Sequence, residues 1–315
     1  MEGEYELKGY VYPYFAKGLQ LVTGKDPANF KFVVGETPLS TFKEVAILFC
    51  LYYVVIFLIY TFMKNRKPFQ LKGIAFVHNC FLCFISLVLC VSIFEFIIQI
   101  AVKHGFLNSV CAKEAYTQRL EVLYYCNYLV KYYEFIDTIF LALKKKKLDF
   151  LHLYHHGMTM FICWCQLYGH ATITWGPVAI NLFVHVIMYY YYARTTIIKK
   201  RVWWKKYLTT LQIVQFVIDI FLIYGATYTY FAYNFFPALP NFGNCNGDPV
   251  MAIIGCAVIT SYLFLFISFF KKTYKGKKPS PKAAQDVKKA ASTGKSTAVK
   301  AKNNIKKRAK SEKFN

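Results

Sequence analysis

The chain has 315 residues, of which 56% are hydrophobic and 19% aromatic, and its mean hydropathy is positive. These values exceed those of ordinary soluble domains, so they exclude a soluble protein and indicate an integral membrane protein. The formal net charge of +23 is concentrated at one end, because residues 271–315 hold 16 Lys and Arg against two acidic residues. The charge therefore indicates a basic tail, and no nucleic acid partner is expected.

The first 44 residues are polar and contain no apolar core followed by a cleavage site, so no cleavable signal peptide is predicted. Seven later segments are apolar over roughly 20 residues, which is enough to cross the hydrocarbon core. These predicted spans are Val45–Met63, Ile74–Val102, Glu121–Leu143, Phe150–Tyr168, Ile173–Ala193, Tyr207–Tyr230 and Val250–Phe270. The predicted fold is all-α: a seven-helix membrane domain over residues 45–270, between a lumenal segment, 1–44, and a disordered basic cytosolic tail, 271–315.

The connections between the spans predict the orientation of the chain. The first, third and fifth carry runs of Lys and Arg, notably Lys144–Lys147 and Lys199–Lys206, whereas the fourth and sixth carry none. Basic connections face the cytosol, so the amino terminus is expected outside or in a lumen and the carboxyl terminus in the cytosol. Cys111 and Cys245 then share the oxidising side, where we predict a disulfide; two unpaired thiols are the alternative.

Three imidazoles open the fourth predicted span. His152, His155 and His156 lie in the stretch LDFLHLYHHGMT, at Leu148–Thr159. Positions three and four residues apart share one face of a helix, so the three rings are expected to point the same way. Ionisable side chains in a membrane usually face protein, a ligand or a cavity, which predicts a functional site. The alternative is that neighbouring helices simply satisfy these histidines.

Other spans carry polar residues at a similar depth. Counting about 1.5 Å of helix rise per residue from the cytosolic end of each span, most of these polar residues lie roughly 8–14 Å deep, and one lysine lies about 18 Å deep. A structural network of ion pairs would produce the same coincidence, so depth alone does not distinguish it from a site. The candidates are Lys131, Glu134 and Asp137 in KYYEFIDT, Asn181 and His185 in NLFVHVIMYYYY, and Gln212 and Gln215 in TTLQIVQFVID.

Several chemistries fit clustered imidazoles: metal ligation, proton transfer and nucleophilic attack on an acyl group. A membrane di-iron desaturase or hydroxylase also carries HxxHH, but it needs a larger set of His-rich ligands. The chain has seven histidines, and His104 and His170 fall at the predicted lumenal end, so no metal is predicted. A non-enzymatic seven-helix receptor or transporter is the remaining alternative, although receptors usually place their ligand near the outer surface.

Four motifs in the order KYYEFIDT, FLHLYHH, NLFVHVIMYYYY and TTLQIVQF resemble the fatty acid elongase family, and most closely its fungal and protist members. The resemblance covers the chain from about Val45 to Phe270. It implies a condensing enzyme of the endoplasmic reticulum that joins a long-chain acyl-CoA to malonyl-CoA, giving 3-oxoacyl-CoA, CoA and carbon dioxide. It also implies that six of seven helices enclose an acyl tunnel, with no metal and no cofactor besides the two substrates.

The resemblance and the depth of the residues together suggest roles for the site. His155 is the predicted nucleophile, forming an acyl-imidazole, while His152, His156 and His185 orient it, move protons and stabilise negative charge. The predicted supporting residues are Asn181, Gln212, Gln215, Lys131, Glu134 and Asp137. Expected partners are acyl-CoA, malonyl-CoA, membrane lipid and the other enzymes of the elongation cycle, and a homo-oligomer is left open.

Overall fold

The computed structural model describes residues 7–198 and 202–274, and within these ranges it is built from helices, with no strand. Short 3₁₀ turns at Pro27–Asn29, Lys113–Ala115 and Thr172–Thr174 connect some of them. The helices are α1 (Tyr12–Thr23), α2 (Phe42–Met63), α3 (Lys72–His104), α4 (Phe106–Cys111), α5 (Gln118–Tyr133), α6 (Phe135–Leu143), α7 (Phe150–Tyr168), α8 (Trp175–Ile197), α9 (Lys205–Phe235) and α10 (Pro249–Tyr274).

Each predicted span coincides with helix, but the spans are not alike. In the described parts of the chain five helices are long and apolar enough to cross a membrane, namely α2, α3, α8 with its preceding turn, α9 and α10. The third predicted span is divided at Glu134 into two shorter helices, α5 and α6. The fourth, α7, has 19 residues, and its three histidines lower its mean hydropathy. The protein is therefore a multi-pass, all-helical membrane protein, and the count of seven spans stays a prediction.

The segment before α2, which the sequence marked only as polar, is folded against the helix bundle. The Glu95 carboxylate of α3 accepts hydrogen bonds from the backbone N–H groups of Val11, at 2.6 Å, and Tyr12, at 3.3 Å. These N–H groups lie at the start of α1, where a helix leaves its donors unpaired, so a carboxylate there stabilises it. Near the end of the segment the Trp164 indole donates to the Ser40 carbonyl at 2.7 Å.

The three connections predicted to be lumenal meet at one point. A disulfide joins Cys111 to Cys245, and the next residue, Asn246, donates its backbone N–H to the Cys111 carbonyl at 2.8 Å. The Asn246 side chain donates to the His170 carbonyl at 2.7 Å. Gly247 follows with φ +148°, and a Cβ there would lie 3.0 Å from that of Ala171, so a larger residue is excluded by the neighbouring backbone.

Two of the basic connections meet at the opposite end. The Lys145 ammonium donates to the carbonyls of Lys64, at 3.0 Å, and Arg66, at 3.1 Å. Lys145 thereby braces the first connection against the third. The compact unit of the structure ends at Phe269. Residues 199–201 of the predicted fifth basic run, and most of the predicted tail, lie outside the described residues.

Candidate active site

The three histidines of α7 lie together, as their spacing predicts. The rings of His152 and His156 have centroids 4.4 Å apart, and those of His155 and His156 are 5.7 Å apart. His156 is buried, while His152 and His155 are partly open. The imidazoles therefore form one cluster at the start of the helix.

The members of the cluster differ in how they are held. His152 Nε2 lies 3.0 Å from the hydroxyl of Thr138 on α6, which in turn lies 3.1 Å from the hydroxyl of Tyr52 on α2. The ring of His155 is bordered by the aromatic rings of Tyr262, 4.9 Å away between centroids, and Phe266, 5.7 Å away. Within the described residues the His155 ring has no hydrogen-bond partner, so its nitrogens stay available.

His185 of α8 joins the cluster through a buried charge network. Its Nδ1 lies 3.2 Å from Glu134 Oε1, outside hydrogen-bonding angles, so that contact is electrostatic. Lys131 Nζ lies 2.9 Å from the same carboxylate oxygen and donates to Asn181 Oδ1 at 3.1 Å. The Asn181 amide nitrogen lies 3.3 Å from His185 Nε2, which closes the network. Because Glu134 is the residue at which α5 gives way to α6, the break places its carboxylate inside the bundle.

Asp137 holds a second set of contacts near the first. It lies one turn after Glu134 and receives His78 Nε2 at 2.9 Å on one carboxylate oxygen. The Tyr189 hydroxyl donates to the other oxygen at 2.8 Å. Asp137 therefore ties α3 and α8 to α6 beneath the histidines.

The two predicted glutamines line the site without bonding to a histidine. Gln212 Nε2 contacts the Met188 sulfur at 3.6 Å, and Gln215 Nε2 lies 3.4 Å from Asp219 Oδ2. Both glutamines project from α9 into the cavity described next. Their amide nitrogens therefore contact neighbours other than the imidazoles, at the wall of that cavity.

The cluster opens into a space that we call the histidine cavity, of about 1480 Å³ including its open mouth. Lys144 and Lys147, from the basic connection between α6 and α7, stand at this mouth. The predicted site residues that line the cavity are His152, His155, His156, His185, Asp137, Asn181, Gln212 and Gln215.

A second space, the deep cavity, adjoins the first and has a volume of about 1020 Å³ including its open part. Its wall is largely apolar and continues to the disulfide region, where Cys245 and Gly247 line it. The wall of the two spaces comes from α3 and from α5 to α10, and none of their lining residues belongs to α2. The residues common to both linings are His155, Asn181, Gln215 and Phe216.

Some residues of the site were not assigned from the sequence. His78 carried a usable signal, since an intramembrane imidazole is a site candidate by itself. Tyr52 and Tyr262 carried none, because the chain has 26 tyrosines and tyrosine is common at membrane interfaces. In the described parts of the chain no group of three or more His, Cys, Asp or Glu side chains is arranged to hold a metal ion.

The fold and the site define a class: a multi-pass membrane protein whose helices surround a buried cluster of histidines. The sequence is matched over residues 37–282 by the family described as ELO: GNS1/SUR4, and the chain belongs to this family. The resemblance drawn from the four motifs is thereby confirmed.

Individual relatives agree with the family assignment. The chain is 42% identical to "Putative fatty acid elongase 1" of Schizosaccharomyces pombe over 251 residues, which cover 80% of this chain and 75% of the relative. It is 35% identical to "Fatty acid elongase A" of Dictyostelium discoideum over 259 residues, or 80% of this chain and 92% of the relative. Similarity to a fungal and a protist protein matches the expectation from the motifs.

Proposed function

We propose that this protein is the condensing enzyme of fatty acid elongation, a 3-oxoacyl-CoA synthase that joins a long-chain acyl-CoA to malonyl-CoA. The family and the names of its relatives support a role in elongation. One observation carries the finer assignment: His155 borders both the histidine cavity, which has a basic mouth, and the apolar deep cavity. A thioester carbonyl held at His155 would have its nucleotide on one side and its acyl chain on the other.

The basic mouth suits the phosphates of coenzyme A. Of the run Lys144–Lys147, Lys145 is occupied by the backbone carbonyls of the first connection, which leaves Lys144 and Lys147 at the cavity. Lys147 makes an exposed ion pair with Asp149 at 3.2 Å, and such pairs are weak enough to exchange for a phosphate. Burial lowers the pKa of Lys144, with Asp137 opposing the shift.

The reaction proceeds in two stages through one entrance. His155 attacks the thioester carbonyl, so that a carbon–nitrogen bond forms and the carbon–sulfur bond breaks; CoA leaves as a thiol with the proton that the second nitrogen of the His155 ring gives up. Malonyl-CoA then loses carbon dioxide, and the resulting enolate attacks the acyl-imidazole. A carbon–carbon bond forms, the carbon–nitrogen bond breaks, and 3-oxoacyl-CoA is released as the His155 ring takes back one proton from water at the mouth through His185.

The other site residues support these stages. His185 lies between the Glu134 carboxylate, beside its Nδ1, and the Asn181 amide, at its other nitrogen, so it is placed to move a proton. His156, packed between His152 and His155, keeps the nucleophile in place. Gln212 and Gln215 offer amide N–H groups to the developing negative charge. No metal or additional cofactor takes part.

The proposal extends to the membrane. Seven spans, six of them enclosing an acyl tunnel formed by the two cavities, would sit in the endoplasmic reticulum with the amino terminus lumenal and the carboxyl terminus cytosolic. The basic connections at the mouth and the disulfide at the opposite end support this orientation. Membrane lipid and the other enzymes of the elongation cycle are the expected partners, with a homo-oligomer left open.

Acid-quenched incubation with labelled acyl-CoA alone tests the covalent stage. Wild type should retain label on the protein, and His155→Ala should lose it. Cys163 provides a matched control, because its thiol also lines the deep cavity and thiols are common acyl nucleophiles. Cys163→Ser should keep the label. No label in wild type, or undiminished label in His155→Ala, would contradict the mechanism.

A further inference from the structure

Three side chains behind the histidine cluster form a line from α2 to α7. The Tyr52 hydroxyl lies 3.1 Å from Thr138 Oγ1, and Thr138 Oγ1 lies 3.0 Å from His152 Nε2. Tyr52 is 5% exposed and Thr138 is fully buried. Neither hydroxyl has another hydrogen-bond partner among the described residues, so within the protein each hydroxyl depends on this line.

Counting protons fixes the direction of these bonds. Tyr52 and Thr138 each carry one hydroxyl proton, and a buried donor without an acceptor is costly. Both protons are used only if Tyr52 donates to Thr138 and Thr138 donates to His152 Nε2. A proton on Nε2, in a neutral or a charged ring, would leave one of the two hydroxyl protons without an acceptor.

We propose that Tyr52 and Thr138 form a hydroxyl relay that holds His152 as the Nδ1–H tautomer and makes its ring a hydrogen-bond donor to the histidine cavity. His152 lines that cavity, and its Nε2 edge is turned to Thr138, so Nδ1 is the nitrogen left for a ligand. A ring whose Nε2 lone pair already accepts a hydrogen bond is not a free base. His152 is therefore a donor, and Thr138 and Tyr52 are positioning residues that act through it.

This inference rests on the proposed function for its chemical meaning. When His155 attacks a thioester, the carbonyl oxygen gains negative charge, and a preset N–H donor stabilises that charge without rearrangement. The same donor serves when the enolate attacks the acyl-imidazole, because the oxygen becomes negative again. Two histidines of the HxxHH motif thus have different roles: His155 forms the bond to the acyl group, and His152 stabilises the oxyanion.

Nitrogen NMR of the full chain with ¹⁵N-labelled histidine tests the tautomer directly. Subtracting the spectrum of His152→Gln identifies the His152 signals, which should show a protonated Nδ1 and an unprotonated Nε2. Thr138→Val, which has the same shape without the hydroxyl, should lose this pattern, and Thr138→Ser should keep it. A protonated Nε2 in wild type, or an unchanged pattern in Thr138→Val, would overturn the relay.

Neighbouring tyrosines supply a second pair of variants. Tyr52→Phe removes the donor to Thr138 but leaves the Thr138 proton with Nε2 as its acceptor, so the His152 Nε2 signal should shift while Nε2 stays unprotonated. Tyr53→Phe should leave the signal in place, because the Tyr53 hydroxyl donates to the Leu153 carbonyl, at 3.4 Å. A protonated Nε2 in Tyr52→Phe, or an Nε2 signal identical to that of wild type, would show that the relay does not exist as described.

Kinetics connect the tautomer to the reaction. Thr138→Val should lower kcat roughly ten- to hundredfold with little change in KM, as expected for losing the support of an oxyanion donor, and Thr138→Ser should restore most of it. Equal losses in both variants would indicate a merely structural role. The NMR pattern does not depend on turnover, so the two proposals can fail separately. Failure of the acyl-label experiment would refute the proposed function, and the tautomer of His152 could still be measured.

Discussion

Lys131 and Glu134 are a charged pair in the interior of the bundle, exposed by only 2% and 1%. Two charges removed from water are tolerated because each compensates the other and the polar groups of Asn181 and His185 complete the network. Removing one partner leaves the other charge buried without compensation. We expect Lys131→Met and Glu134→Gln each to lower the free energy of unfolding by about 3–5 kcal/mol, measured as loss of folded protein on heating in detergent.

The double variant separates the charge from the shape of these side chains. Lys131→Met combined with Glu134→Gln removes both charges together, so it should be more stable than either single variant. Destabilisation equal to the sum of the two single effects would show that the pair does not compensate as described. Wild-type stability in either single variant would contradict the buried contact itself.

At the scale of the helix, the apolar pattern was sufficient to place most elements but not their interruptions. Each predicted span coincides with helix, because a long apolar run in a membrane has few other ways to satisfy its backbone. The break at Glu134 was not predictable, since Tyr132–Thr138 has no Pro or Gly to mark it. The N-terminal fold was missed for a related reason: the bonds that hold it come from distant residues such as Glu95 and Trp164.

The site was predictable where a side chain has no ordinary reason to be in a membrane. Imidazoles and charges such as His155 and Glu134 stand out in an apolar run. Hydroxyls do not, because a helix can satisfy them locally: Thr196 donates to the Tyr192 carbonyl one turn earlier, at 2.8 Å. Thr138 instead reaches across helices, and only coordinates distinguish the two cases.

The docking of α1 gives a test at this scale. Glu95→Ala removes the carboxylate that pairs with the N–H groups of Val11 and Tyr12, at a cost of about 1–2 kcal/mol. That corresponds to roughly a 5–30-fold larger open population. We expect trypsin to cut at Lys17 and Lys25 faster by a similar factor. Glu36→Ala is the control, because that carboxylate makes no bond among the described residues, and equal cleavage in both variants would contradict the docking.

Across the whole molecule the two ends of the bundle differ in what holds them. At the mouth of the histidine cavity Lys144 and Lys147 line the opening, and Lys145 braces the first connection against the third. At the other end a covalent bond and the Asn246 backbone and side chain join three connections around the end of the deep cavity. Under the proposed function this contrast has a use: the basic mouth would open for the substrate while the other end retained the acyl chain.

The disulfide is therefore expected to stabilise the closed end, and its loss should be measurable in the folded protein. Cys111 and Cys245 are 134 residues apart, and a bridge across a loop of that size typically contributes about 2–5 kcal/mol. The double variant Cys111→Ser with Cys245→Ser should melt at a lower temperature in detergent than Cys80→Ser, which alters an exposed free thiol. A reducing agent should lower the melting temperature of wild type toward that of the double variant and leave the variant unchanged. Two outcomes would contradict this role of the bridge. One is that unreduced wild type has two more alkylated thiols than the double variant; the other is that it melts at the same temperature as the double variant before any reductant is added.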